Sequence, residues 1–167
     1  MIVAMARSPC TGSDLRADVC SSLGRVRASR DVEDAVVAGA VAAVLSGVPS
    51  TLHAILDATN PLEASLAAGT LLLPRERRPS RLLPAAIVAH GALSLGWALV
   101  LAAALPRRRT LAWSVLAGLA IAAFDLGVVG RRFPRVRALA TAPQVLDHVA
   151  YGATVGCVLS RRRARRT

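Results

Sequence analysis

Residues 111–130 read LAWSVLAGLAIAAFDLGVVG, and only Asp125 among them is ionisable. A hydrocarbon core of ~30 Å takes about 20 apolar residues as a helix, so this stretch is long enough to cross a bilayer. Its carboxylate is the informative exception. A charge inside hydrocarbon is costly, and a short acidic side chain cannot snorkel to the interface as Arg does. Three further blocks repeat the pattern: Ala35 to Leu56 holds His53 and is bounded by Asp57, Leu82 to Leu105 holds His90, and Ala138 to Ser160 holds the pair Asp147-His148. The expected fold class is all-α, a polytopic transmembrane helix bundle with four spanning helices.

The composition of the whole chain agrees. Its 167 residues are 54% hydrophobic and 3% aromatic, with a mean hydropathy of +0.49, and the apolar residues come in blocks rather than scattered. The formal charge of +11 looks like a nucleic-acid signal until the basic residues are located. All 21 are Arg, and most lie between apolar blocks, at Arg75 to Arg81, Arg107 to Arg109, Arg131 to Arg137 and Arg161 to Arg166. Basic residues flanking spans are topological anchors that meet anionic head groups, so the expected partner is the lipid bilayer and not nucleic acid. Abundant Ala and Arg without Lys read as a GC-rich bacterial genome. The expected location is a bacterial plasma membrane, crossed several times.

Three segments follow from this pattern: a disordered N-terminal segment over 1–31, a transmembrane helical domain over 32–160 and a basic tail over 161–167. The first is Ser- and Arg-rich, with no apolar run long enough for a cleaved signal. Part of it reads as an over-extended gene start. Cys10, Cys20 and Cys157 have neither zinc spacing nor a CxxC, so no disulfide framework or metal motif is expected.

Between the first two spans, Asn60-Pro61-Leu62-Glu63 resembles a capping box with Asn at the cap, Pro at the first helical position and a carboxylate three residues on. The helix it starts reaches only to Leu73 before Pro74, ~20 Å. A short interfacial or re-entrant helix is expected there, with a short fifth span as the rival. The Arg count on each side is the same for four spans as for five.

Small and polar residues form stripes on these helices. Gly39, Ala43, Ser46, Ser50, His53 and Asp57 fall at spacings of four and three, as do Ser114, Gly118, Ala122 and Asp125. His90, Ser94 and Trp97 share a face, Gln144, His148 and Tyr151 share another, and Gly152 with Gly156 makes a GxxxG motif. The plain reading is close helix packing through Gly39, Ser46, Gly118, Gly152 and Gly156. Pro49 predicts a kink just before Ser50.

With four spans, depth counted from the helix ends puts His53, His90, Asp125, Asp147 and His148 in one half of the bilayer. Asp57, Ser94 and Tyr151 complete the candidate polar cluster. Such a cluster fixes helix packing and is compatible with proton-linked transport or with a partner contact, from a second copy or another membrane protein. No nucleophile elbow, P-loop, HExxH or other ligand spacing occurs, so no catalytic residue, metal ligand or cofactor is expected. Two other readings stay open: an intramembrane enzyme or metal-binding protein using His90, Asp125 and His148, and an accessory subunit of a larger membrane complex.

The run His90-Gly91-Ala92-Leu93-Ser94-Leu95-Gly96-Trp97 and the closing Asp147-His148-Val149-Ala150-Tyr151-Gly152 resemble segments of small integral membrane proteins of actinobacteria. The resemblance covers about residues 32–160. It implies a membrane protein and no particular activity.

Overall fold

Ala- and Leu-rich runs satisfy their backbone groups locally as helix, and in the computed structural model every apolar block does so. The structure describes residues 14–166 of the backbone, with side chains from residue 29 onward. All regular structure among them is helical: α1 (Asp14–Leu45), α2 (Val48–Leu56), α3 (Glu63–Gly69), α4 (Pro79–Ala104), α5 (Thr110–Phe124), α6 (Pro134–Arg137) and α7 (Thr141–Ala164). A π-helical turn over Asp125–Val129 and a 3-10 turn over Gly130–Arg132 extend α5.

Three stretches are long and apolar enough to cross a membrane: Ser29–Leu56, Pro79–Ala104 and Thr110–Arg132. The fourth expected span is occupied by α7, whose 24 residues reach ~36 Å, but α7 is too polar to meet the same measure. The main helices run antiparallel in sequence order. Gly39 of α1 meets Ser94 and Ala98 of α4, Asp34 meets Arg162 of α7, and Gly118 of α5 meets Gly152 of α7. α1 therefore lies between α4 and α7, and α7 between α1 and α5.

The short helix differs from expectation in length and in its start. α3 stops at Gly69 rather than Leu73. Asn60 Oδ1 accepts from the Leu62 N–H at 3.0 Å, while Glu63 turns away from the cap to grip Arg135 of α6, at 2.6 and 3.0 Å. The expected capping box is therefore not formed: α3 starts at Glu63 behind Leu62, the Asn60 bond belongs to the turn before it, and a guanidinium offers Glu63 two charged donors where the cap would offer one neutral one. That grip holds the Arg135 guanidinium above its ordinary value.

α1 begins at Asp14, inside the segment expected to be disordered, and residues 1–13 lie outside the described residues. Extending an existing helix avoids the cost of nucleating one, so a polar stretch can continue from an apolar helix. The basic tail is likewise helical through Ala164 and is tied to α1.

Burial is arranged inside out relative to a water-soluble bundle. The buried apolar side chains are mostly alanine, including Ala35, Ala38, Ala42, Ala86, Ala89 and Ala98. Large side chains face outward instead, with Val44, Leu56 and Ile87 each about three-quarters exposed (76%, 75% and 75%). Small residues inside let helices approach closely, and large apolar residues outside suit a lipid solvent.

Candidate functional site

Two neighbouring residues of α7, Asp147 and His148, reach in different directions because consecutive helical positions are ~100° apart. Asp147 points to the break between α1 and α2. Pro49 has no N–H and cannot continue the helical ladder, so the chain turns at Ser46-Gly47 and restarts at Val48. The kink expected just before Ser50 is thus a two-residue turn between α1 and α2. In an unbroken helix the Ser50 N–H would bond to Ser46, but here it donates to Asp147 Oδ1 at 2.9 Å. A carboxylate from α7 therefore caps the N-terminus of α2, where free N–H groups and the helix dipole favour negative charge.

His148 points the other way, to the end of α5. Its Nδ1–H donates to the Gln144 carbonyl at 2.8 Å, and its Nε2 lies 3.3 Å from Asp125 Oδ2. Both partners are about three-quarters buried, at 21% and 25% exposed. With Nδ1 committed as a donor, a neutral imidazole would aim a lone pair at the carboxyl group. A proton between Nε2 and Oδ2 would make the contact a charge-assisted hydrogen bond. Asp125 opens the π turn, where the Gly130 N–H reaches its carbonyl. A Cβ at Gly130 would stand 2.9 Å from that oxygen and 3.0 Å from Val136, so the turn needs glycine there.

Tyr151, one turn past Asp147, donates its buried hydroxyl to the Ser94 carbonyl of α4 at 2.5 Å. His90 lies on the exposed side of α4, and its Nε2–H donates to the Ala43 carbonyl of α1 at 2.9 Å. It is still within electrostatic reach of Asp147. Of the expected cluster, His148 and Asp125 meet directly, while Asp147 bonds to the Ser50 N–H and His90 to the Ala43 carbonyl. His53 and Asp57 stand apart, pairing with each other at 3.4 Å at the exposed end of α2.

The small residues mark where backbones meet. A Cβ on Gly118 or Gly152 would overlap the carbonyl of His148 or Ser114 respectively, and one on Gly156 would come within 2.7 Å of Ser114. The α5–α7 seam is therefore built by the GxxxG motif against Ser114 and Gly118. Gly39 seats α1 on α4, and Ser46 is buried at the α1–α2 break.

At the other end of the bundle stands a charge cluster that sequence reading missed. Asp34, 1% exposed, accepts from Arg162 and from Arg166 at 2.9 Å, while Glu33 pairs with Arg162 and Asp31 with Arg107. Arg163 donates to the Ala102 carbonyl at 2.8 Å. The available signal was the acidic run Asp31, Glu33, Asp34 at the foot of a span in a basic chain. An antiparallel α7 brings the last Arg run to it.

No group of three His, Cys, Asp or Glu side chains among the described residues could hold a metal ion. Cys157 is a free thiol on α7. Comparison with protein-family models, curated proteins and solved structures finds no match to this chain.

Proposed function

We propose that this chain is a non-enzymatic, multi-pass protein of a bacterial plasma membrane, in which the Asp125–His148 pair takes up and releases a proton in proton-linked transport. α1 with α2, α4, α5 and α7 are its four spans, and α3 and α6 lie at one interface. The outward large side chains and inward alanines support membrane insertion, and the all-Arg basic runs support a bacterial source. α7 crosses as the sheltered helix, its polar groups turned to α2, α4 and α5 rather than to lipid.

The observation that carries the transport reading is the His148 geometry: one ring nitrogen is committed to Gln144, and the other lies 3.3 Å from a largely buried carboxyl group at the end of α5. Such a pair moves a proton with little change of geometry. The test is purified protein in liposomes loaded with a pH-sensitive dye, with an imposed proton gradient. Wild type is expected to dissipate the gradient faster than an Asp125→Asn, His148→Gln double variant. Equal rates would remove the transport reading.

A further inference from the structure

The π turn does more than place Asp125. Beside it, between the end of α5 and the start of α7, lies a groove of about 600 Å³. Leu119, Ala122, Leu126 and Val145 line it together with the exposed Arg131 and Arg137. From Arg131 to Leu119 is ~18 Å along a helix, close to the ~15 Å of one hydrocarbon leaflet. The groove therefore has the length of an acyl chain with charge at one end.

Those charges have no protein counterpart. Among the described residues neither Arg131 nor Arg137 makes an ion pair, and the carboxylates of this region are engaged, Asp125 with His148 and Glu63 with Arg135. Two exposed guanidinium groups above an apolar groove match a phosphodiester above its acyl chain, since Arg binds phosphate through paired N–H donors.

We infer that this groove binds one anionic phospholipid, with Arg131 and Arg137 on the phosphate and an acyl chain along Leu119, Ala122 and Leu126. The inference rests on the membrane-spanning reading above. The bound lipid fills the space beside the Asp125–His148 pair, between α5 and Gln144 of α7.

Native mass spectrometry of detergent-solubilised protein, titrated with phosphatidylglycerol or phosphatidylcholine, tests this. Wild type is expected to retain one phosphatidylglycerol in preference to phosphatidylcholine. An Arg131→Gln, Arg137→Gln variant should weaken that binding about tenfold or more, while an Arg75→Gln, Arg77→Gln control, which removes equal charge at the same end of the bundle, should not. Leu126→Trp, which fills the groove and keeps both Arg, should also lose the lipid. Equal loss in the control, or full binding in the Arg131/Arg137 variant, would overturn the site. So would a lipid-independent dimer that Leu126→Trp breaks, since a second copy would then occupy the groove. Alkaline carbonate extraction separates the two readings: release of wild type from membranes defeats the spanning reading itself, whereas retention with no bound lipid defeats only the site.

Discussion

α4 and α7 both run the length of the bundle, yet they are opposite in what they expose. α4 leaves Ile87, Val88, Leu93, Leu99 and Val100 outside and buries alanine and serine. α7 has no exposed residue from Asp147 to Ser160, and it carries Asp147, His148 and Tyr151. The first satisfies the length-and-apolarity measure of a membrane span and the second does not. Hydropathy therefore records what a helix faces: an outer helix must be greasy toward lipid, whereas a central helix is solvated by its neighbours and tolerates polar groups that they satisfy.

The largest test of that contrast swaps glycine for leucine on each helix. Gly152→Leu on α7 forces the backbones of α5 and α7 apart and is expected to cost about 3 kcal/mol or more, read as unfolding in mixed micelles. A Cβ at Gly96 on α4 meets nothing within 4 Å, so Gly96→Leu should leave stability unchanged or raise it by up to about 1 kcal/mol, since glycine is a poor helix former. Equal losses at both positions would mean that α4 and α7 are not placed differently.

A smaller effect is expected where α7 caps α2. Asp147→Ala strips the Ser50 N–H of its acceptor and should cost about 1 to 2 kcal/mol in the same assay, while Asp147→Asn, which keeps an acceptor oxygen, should cost less. If the two variants were equally stable, the capping bond would carry no weight, and α7 would be held by packing alone.

The smallest effect lies just before α4, outside the long apolar stretches. The backbone N–H groups of Arg78 and Arg77 hold the Glu76 carboxyl below its ordinary value of 4.5. A lowered folded-state value means that Glu76 stabilises the fold above pH 4.5 and that this contribution fades as pH falls through the lowered value. The melting-temperature gap between wild type and Glu76→Gln should accordingly be small at pH 7 and close on acidification. A gap that widened in acid would reverse the sign and the assignment.

Much of this arrangement is legible in the residues. Ser114, Gly118, Ala122 and Asp125 share a helix face at spacings of four and three, and the structure turns Ser114, Gly118 and Ala122 inward with Asp125 reaching His148. Gly152 and Gly156 mark a close approach for the same reason: a missing Cβ is useful only where another backbone comes near. Glu63 was harder to read, since Asn60 supplied a local role and the stronger partner, Arg135, lies 72 residues away. Asp34 was harder still, because nothing local distinguishes a carboxylate meeting head groups from one enclosed by Arg162 and Arg166.

By itself the sequence determined the long apolar helices and most of the small-residue faces they bury, because helix formation and the 3.6-residue period depend only on near neighbours. Only the tertiary structure decided which helix is central, that Asp147 goes to α2 and His148 to α5, that His53 and Asp57 stand apart from them, and that the terminal Arg run closes over Asp34. Those outcomes depend on which distant backbone supplies a donor, a carbonyl or a charge at a given depth. A helical period reveals the direction in which a side chain points, and only the assembled bundle places something there to meet it.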